Sequence, residues 1–172
     1  MILPYMQFTP DVSRAAFIAE SADIIGQVEL GEDVSVWFQT VIRGDLAPIS
    51  IGRGSNIQDS AVIHMNHGIA VEIGERVSIA HQAMIHGCRI GSHALIGMRA
   101  VVMDGSVIGE YSLVAAGSLV PPNKHYPPKS LILGSPARAV RTLADEEIQG
   151  ISEATDRYIE AAHRYRSLTP EC

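Results

Sequence analysis

Residues 90–120 read IGSHALIGMRAVVMDGSVIGEYSLVAAGSLV, and in this stretch a branched aliphatic residue returns at every sixth position. The repeated positions are Ile90, Ile96, Val102, Ile108, Val114 and Val120, and small residues stand four places after most of them (Ala94, Ala100, Ser106, Ser112, Ser118). A period of six matches neither the alternation of a strand nor the roughly 3.6-residue period of a helix. It is typical of a chain that turns a corner every six residues and stacks coil on coil. The stretch therefore predicts a parallel β-solenoid of hexapeptide repeats.

The same beat is present earlier in the chain, with two interruptions, at residues 45–50 and 65–72, that we expect to be loops. Its earlier positions are Ile18, Ile24, Leu30, Val36, Ile42, Ile51, Ile57, Ile63, Ile73, Ile79 and Ile85. At three sides per coil, the whole series predicts roughly five to six coils. We therefore predict a β-helix domain at residues 1–141, with the residues before Ile18 capping the first coil.

The final segment changes to the period of an amphipathic helix. Its apolar positions form one helical face, namely Ile148, Ile151, Tyr158, Ile159, Ala162 and Tyr165. Thr142 and Asp145 predict a capping box at the start of the helix. A single amphipathic helix beside a solenoid is expected to cover an apolar outer wall, so residues 142–172 are predicted to pack on the same domain.

Composition argues against several classes of function. The net charge of −6 points to no nucleic-acid or anionic-membrane partner. No apolar run is long enough to span a membrane, and the first residues lack the pattern of a signal peptide. Cys88 and Cys172 make no disulfide framework, so reduced thiols in a cytoplasmic protein are the simpler interpretation.

The hexad count predicts which histidines become neighbours. If the loops do not advance the count, Ile63 and Ile85 lie on the same side of the solenoid, one coil apart. His64 and His86, which follow them, should then be stacked about 4.8 Å apart, the spacing of adjacent strands. Two imidazoles at that separation can bind one divalent ion. Arg43 follows Ile42 on the same side, one coil earlier, and joins this column.

His81 is predicted to lie on a different side. It falls two places after Ile79, as Asp59 falls two places after Ile57, so Asp59 should lie one coil below His81. One chain could hardly bring three imidazoles to one ion, whereas a homotrimer could, with His81 of one copy meeting His64 and His86 of the next. Three neutral imidazoles with an open position are the ligand set of catalytic zinc. Gln58, beside Asp59, resembles a residue that orients the site from behind the ligands.

Simpler interpretations stay open for several of these residues. Arg43 and Asp45 form either an exposed ion pair of little energetic consequence or an interface pair that sets the trimer register. Asn56 and Gln58 either cap turns or belong to the site. His67 lies in the loop at residues 65–72, where it is either a solvated histidine or a proton carrier.

The chain resembles the γ-class carbonic anhydrases, which are hexapeptide-repeat, left-handed β-helix proteins. The resemblance covers nearly the whole length and rests on particular motifs: Trp37, Arg43-Gly44-Asp45, Asn56-Ile57-Gln58-Asp59, His64, His81, Ala83-Met84-Ile85-His86-Gly87-Cys88 and Gly134-Ser135-Pro136-Ala137-Arg138. Hexads alone are weak evidence because many acyltransferases share them. The left hand of the coil is implied by this resemblance, since crossovers between parallel strands are otherwise right-handed.

The resemblance implies a function and a role for each motif residue. His64, His81 and His86 bind Zn²⁺, or alternatively Fe²⁺ or Co²⁺, with His81 crossing the subunit boundary. Arg43 and Asp45 pair between subunits, and Gln58 hydrogen-bonds the water on the metal, with Asn56 beside it. Tyr158 on the terminal helix reaches the pocket. The expected reaction is the reversible hydration of carbon dioxide to bicarbonate, with His67 as the route for the proton.

Two departures from the family pattern keep rival functions open. Leu46 stands where well-studied members carry an acidic residue after Arg-Gly-Asp, and Met65-Asn66-His67-Gly68 stands where they carry an acidic loop. Both changes remove proton carriers, so a metal-bearing trimer that acts as a scaffold subunit is one alternative. The other is an acyl-CoA-dependent acyltransferase with one histidine as general base.

Overall fold

The structure is a computed structural model that describes residues 1–168. Residues 169–172, which include Cys172 and the end of the predicted helical segment, lie outside the described residues. The first strands are β1 (Ile2–Leu3), β2 (Phe17–Ile18), β3 (Asp23–Leu30), β4 (Ser35–Val36), β5 (Val41–Ile51), β6 (Asn56–Ile57), β7 (Val62–His64), β8 (Val71–Ile73), β9 (Ser78–Ile79) and β10 (Met84–His86). The later elements are β11 (Arg89–Ile90), β12 (Leu95–Ile96), β13 (Val101–Val102), β14 (Val107–Ile108), β15 (Leu113–Val114), β16 (Leu119–Val120), β17 (His125–Tyr126), β18 (Ser130–Gly134), β19 (Ala137–Thr142) and helix α1 (Asp145–Leu168).

The strands form the three sides of a left-handed parallel β-helix, as the sequence predicted. One side contains β7, β10, β13 and β16, and a second contains β8, β11, β14 and β17. The long strand β5 pairs with β7 on one side and with β8 on the other, and β3 pairs along β5, so these two sides make one sheet. The third side is an eight-stranded sheet in the order β19-β18-β15-β12-β9-β6-β4-β2, in which β19 alone is antiparallel.

The hexad residues point into the prism and are its core. Ile42, Ile63, Ile85 and Val102 form one inward column, each with no exposed surface. The strand pairing links them directly, since Ile42 pairs with Ile63, Ile63 with Ile85, and Ile85 with Val102. Burying whole Ile side chains is worth about 1.5–3 kcal/mol each, so this column sets the register of every outward residue beside it.

The solenoid is longer than the predicted five to six coils and makes about seven turns. The beat continues past Val120 through Tyr126 and Ile132, again at six-residue steps. Tyr126 pairs with Ile108, and Ile132 pairs with Val114 and is fully buried. The sequence predicts too few coils because Tyr126 and the prolines around it interrupt the series of aliphatic residues.

One corner of the prism positions part of the site. Gln39, Ser60 and Gln82 stack there with φ of 59°, 60° and 60°, a conformation that non-glycine residues rarely adopt. Hydrogen bonds between coils hold them, because the Ser60 amide donates to the Phe38 carbonyl and the Gln82 amide donates to that of Asp59, both at 2.9 Å. The residues just before this corner, Asp59 and His81, are therefore stacked one coil apart.

Helix α1 packs on the third side, against β2, β4 and β6. Its buried residues are Ile151, Thr155 and Ala162, which lie on the predicted apolar face or beside it. The predicted capping box at Thr142 is wrong, because Thr142 ends β19 and pairs with Ser130. The helix begins at Asp145 instead, and the Glu147 carboxylate accepts a hydrogen bond from the Ala144 amide at 2.9 Å.

Two further features bear on the expectations from composition. Within residues 1–168, no helix combines the length and the apolar character that crossing a membrane requires. Cys88 is a free, buried cysteine, and burial raises the pKa of its thiol to about 12.

Candidate functional site

His64 and His86 are adjacent in the structure. They pair in register at the ends of β7 and β10, as the hexad count predicted. Nδ1 of His64 lies 3.4 Å from Nε2 of His86, and the ring centroids are 5.3 Å apart. That separation is long for a hydrogen bond. It is the distance of about 3.4 Å expected between two nitrogens that each lie about 2.1 Å from one tetrahedral zinc ion.

Each of these rings is held from its other nitrogen by a carboxylate. Nε2 of His64 lies 3.0 Å from Oδ1 of Asp45, and Nδ1 of His86 lies 2.8 Å from Oδ1 of Asp104. A carboxylate on the distal nitrogen fixes the tautomer and the orientation of a metal-binding imidazole. The two nitrogens that face each other are therefore free to serve as ligands.

Asp104 was not identified from the sequence. It follows Val102 by two places, and Val102 pairs with Ile85, so Asp104 lies one coil above the end of the His86 strand. Its other oxygen, Oδ2, accepts a hydrogen bond of 2.9 Å from Asn66 in the loop after His64. Continuing the hexad count by one coil would have placed this carboxylate beside the histidine column.

Arg43 and Asp45 form an ion pair within the chain, at the lower end of this column. Asp45 is mostly buried and contacts both Arg43 and His64. Burial raises the pKa of the Asp45 carboxyl, but the hydrogen bonds from His64 and Arg43 outweigh it and hold that pKa below its ordinary value. The carboxylate therefore stays charged and links the arginine to the histidine pair.

His81 lies on the neighbouring corner, as predicted, and is also held by a carboxylate. Its Nδ1 lies 2.9 Å from Oδ2 of Asp59, one coil below. The His81 side chain is 43% exposed, whereas those of His64 and His86 are 18% and 25% exposed. His81 is therefore the most exposed of the three imidazoles.

Tyr158 reaches His81 from helix α1. Its hydroxyl lies 3.4 Å from Nε2 of His81. Trp37 packs edge-on against the Tyr158 ring at 5.5 Å, and the indole of Trp37 donates a hydrogen bond to Ser35. Burial, together with the negative charge of Asp59, raises the pKa of the Tyr158 phenol. The tyrosine is therefore a neutral hydroxyl next to the exposed histidine.

Asn56 and Gln58 are buried side chains rather than turn caps. Nε2 of Gln58 donates to Oδ1 of Asn56 at 2.9 Å, and Nδ2 of Asn56 donates to Oγ of Ser78 at 2.8 Å. Ser78 was not identified from the sequence, although it occupies the position of Asn56 one coil later. Gln58 directly precedes Asp59, the residue that anchors His81.

His67 and Leu46 lie near the histidine column but outside its contacts. His67 is exposed in the loop that follows β7. The Gly68 amide approaches the Leu46 carbonyl at 3.5 Å, so this loop runs beside Leu46. The Leu46 side chain is exposed, and it presents no carboxylate where the resemblance led us to expect one.

The predicted ligands form two separate groups within one protomer. His64 and His86 make one group, and His81 with Asp59 and Tyr158 makes the other. Within residues 1–168, no three His, Cys, Asp or Glu side chains are arranged to hold a metal ion together. The first group supplies two nitrogens that face each other, and the second group supplies an exposed imidazole.

Comparison with protein families identifies one segment of the solenoid. Residues 87–122 match the model of the bacterial transferase hexapeptide family, described as six repeats. These residues contain the uninterrupted series from Ile90 to Val120, so the match reports the scaffold.

Comparison with individual proteins covers the whole chain. It is 42% identical to the carbonic anhydrase of Geobacillus kaustophilus over 98% of its own length and 92% of that relative. It is 39% identical over 92% of its length to γ carbonic anhydrase 2, mitochondrial, of Arabidopsis thaliana, of which it spans 59%. A solved hexapeptide transferase family protein from Anaplasma phagocytophilum superimposes with a TM-score of 0.91 at 39% identity, over 95% of this chain and 97% of that one.

The similarity to these relatives is not confined to the repeats. The identity extends over the β-helix and the terminal helix alike. The chain therefore belongs to the γ-class carbonic anhydrase family of hexapeptide-repeat proteins.

Proposed function

We propose that this protein catalyses the reversible hydration of carbon dioxide at a Zn²⁺ site that is shared between copies of the chain in a homotrimer. His64 and His86 of one copy and His81 of the next would hold the metal. Fe²⁺ and Co²⁺ also accept imidazole ligands and are alternatives. A cytoplasmic location and the absence of nucleic-acid or membrane partners stay predictions.

The observation that carries this proposal is the pair of facing nitrogens on His64 and His86, each ring anchored by a carboxylate. Anchored, neutral imidazoles are the donors that a catalytic zinc requires. His81 fits as the third donor because its ring is anchored by Asp59 in the same way and is the most exposed of the three. A zinc ion held by these three imidazoles would lower the pKa of a water ligand to about 7 and would thus make hydroxide available at neutral pH.

The residues of the chain divide the remaining work. Asp45 holds His64, Arg43 pairs with Asp45, and both sit at the proposed contact between copies. Gln58, supported by Asn56, orients water in the pocket through its amide. Tyr158 limits the ways in which His81 can turn, through its hydroxyl near Nε2.

Hydration adds water to carbon dioxide, gives bicarbonate and releases one proton, which must reach solvent. His67 is exposed three residues after His64, and an imidazole side chain can both accept and release a proton. Leu46 and the loop at residues 65–68 carry no carboxylate for this task. We therefore expect proton release to limit turnover and to depend on buffer.

Stopped-flow hydration of carbon dioxide by zinc-loaded protein, with and without added imidazole, tests the activity directly. His64→Ala should abolish hydration and metal retention. His93→Ala is the matched control. The His93 ring stacks on the Tyr111 ring, with centroids 4.6 Å apart, and is not one of the proposed ligands. Loaded wild-type protein that hydrates no faster than His64→Ala, even in imidazole, would exclude the proposed reaction.

Mixing two inactive variants tests whether copies share the site. His81→Ala cannot supply the imidazole that one copy contributes to the metal. His64→Ala cannot supply the intact His64–His86 pair that the other copy contributes. In co-assembled trimers of both, about a quarter of the interfaces recover a complete ligand set, because each interface takes one group from each neighbour. Recovery of about a quarter of the activity supports a shared site, and no recovery argues for ligands from a single chain.

A second candidate is an acyl-CoA-dependent acyltransferase, with one histidine as general base. Its support is the likeness to the hexapeptide transferase family protein of Anaplasma phagocytophilum. Purified protein that carries no metal but binds coenzyme A would favour this candidate. A third candidate, a metal-bearing scaffold trimer, is favoured because neither position 46 nor the loop at residues 65–68 carries a carboxylate, and full metal occupancy without turnover would support it.

A further inference from the structure

A chain of buried hydrogen bonds connects helix α1 to Gln58. Oγ1 of Thr155 donates to the carbonyl of Ile151 at 3.1 Å, and Oγ of Ser78 lies 3.1 Å from Oγ1 of Thr155. Asn56 follows, with Nδ2 at 2.8 Å from Oγ of Ser78, and Gln58 ends the chain with Nε2 at 2.9 Å from Oδ1 of Asn56. These four side chains span β6, β9 and the helix.

All four side chains are shielded from water. Thr155 and Asn56 are each 1% exposed, Ser78 is 3% exposed and Gln58 is 5% exposed. Among the described residues, no buried side-chain nitrogen or oxygen lacks a hydrogen-bond partner. Because water cannot replace a lost partner at such depth, each bond constrains the donor and acceptor roles of the next.

The helix end of the chain sets its direction. A backbone carbonyl can only accept a hydrogen bond, so the single hydroxyl proton of Thr155 is donated to the carbonyl of Ile151. In the contact between the two hydroxyls, Ser78 must therefore be the donor and Thr155 the acceptor. With its own proton used, Ser78 can only accept from Asn56, which therefore turns its amide nitrogen toward the serine. Asn56 then offers its oxygen to the amide nitrogen of Gln58. The carbonyl oxygen of Gln58 is left as the end directed away from Asn56.

We propose that Thr155 is a positioning residue that, through Ser78 and Asn56, determines which end of the Gln58 amide faces the metal centre. This inference rests on the proposed function, in which Gln58 orients water in the pocket. The relay presents an acceptor to that water rather than a donor. The terminal helix thus controls the polarity of the site from a residue that never touches it.

Removing the Thr155 hydroxyl should release the direction of the relay. In Thr155→Val, which keeps the shape of the side chain, Ser78 has lost its acceptor. It regains a partner by donating to Asn56, and this requires both amides to turn over. The Gln58 amide nitrogen then faces the pocket. Thr155→Ser keeps the hydroxyl and is the matched control.

Side-chain amide exchange measured by nuclear magnetic resonance reports this orientation without reference to activity. The probe is full-length protein labelled with ¹⁵N-glutamine, with the Gln58 signal assigned by its absence in Gln58→Glu. We expect exchange of the Gln58 amide protons with water to rise about tenfold or more in Thr155→Val, and to stay within about twofold in Thr155→Ser. Ser78→Ala cuts the relay at a second point and should also accelerate exchange.

The outcomes separate this inference from the proposed function. Unchanged exchange in both Thr155→Val and Ser78→Ala would overturn it, as would equal acceleration in Thr155→Ser, which would indicate packing alone. For zinc-loaded protein we expect about a tenfold loss of kcat/KM in Thr155→Val and none in Thr155→Ser. If exchange changes as expected while even the wild type fails to hydrate carbon dioxide, the relay stands and the proposed function fails.

Discussion

The Asp104 carboxylate lies 2.8 Å from Nδ1 of His86 and holds that ring from the coil above. Its second oxygen accepts a hydrogen bond from Asn66, which lies two residues after His64. One carboxylate thereby ties the strand of His86 to the loop that leaves the strand of His64. This arrangement keeps the two proposed ligands side by side in a single protomer.

Asp104→Asn should weaken metal binding while leaving the fold intact. The amide keeps the shape of the side chain but loses the charge that supports the ring, and loss of such an anchor typically reduces metal affinity about 10–100-fold. Competition with a chromogenic zinc chelator measures the affinity. Glu110→Gln, an exposed carboxylate at another edge of the prism, should leave it unchanged. An unaltered Kd in Asp104→Asn would show that His86 needs no anchor.

Arg43→Ala should weaken association between copies of the chain. The Arg43 side chain is 42% exposed beside the proposed ligands, so the proposed interface would bury it with its charge paired by Asp45. Sedimentation velocity should show a shift toward smaller species. Arg53→Ala removes a guanidinium that is 64% exposed and pairs with Glu32, and it should have no such effect. Equal assembly of both variants would place the interface elsewhere.

Two Gly→Ala substitutions should have opposite effects on the free energy of unfolding. A Cβ at Gly52 would lie 2.6 Å from backbone atoms of Gly74 in the next coil, so Gly52→Ala should destabilise the protein by about 1–3 kcal/mol. Gly150 lies in helix α1, and beyond its chain neighbours and the backbone of its own helix an added Cβ would meet no atom within 4 Å, so Gly150→Ala should stabilise the protein by up to about 1 kcal/mol. Urea unfolding at one fixed protein concentration compares them, and a stabilising Gly52→Ala would contradict the close stacking of the coils.

Glu147 should make the start of helix α1 sensitive to acid. The hydrogen bonds from Arg141 and the Ala144 amide lower the pKa of its carboxyl from 4.5 to about 2. Since the pKa is depressed in the folded state, this stabilisation is present above pH 4.5 and is lost as the pH falls toward 2. The difference in Tm between wild type and Glu147→Gln should therefore be largest near neutrality and narrow below pH 4.5. Glu146→Gln, an exposed neighbour, should show no such narrowing.

The positions of the histidines followed from the hexad count because inward residues decide the register of parallel strands. Once Ile63 pairs with Ile85, the outward neighbours His64 and His86 must also pair. The same argument placed His81 above Asp59 at another corner. Their roles as ligands stay predictions, since register describes proximity and not chemistry.

The features that the sequence did not reveal depend on groups that no period marks. Thr142 is a residue type that often caps helices, but here it is a strand residue in the antiparallel pairing of β18 with β19. Asp104 and Thr155 look like ordinary surface and helix residues until the coils are stacked. Tyr126 occupies a hexad position with an aromatic ring, so a pattern of aliphatic residues alone does not reveal the last coils.

The order of residues along the chain is enough to predict the solenoid, its register and the column in which His64 and His86 meet, because burial of one aliphatic residue per hexad is a local and repetitive requirement. The packing in three dimensions decided which carboxylates anchor His64 and His86, and how helix α1 reaches Gln58 through Thr155. Those contacts join residues 18 to 77 positions apart through side-chain geometry, which no repeat in the chain encodes.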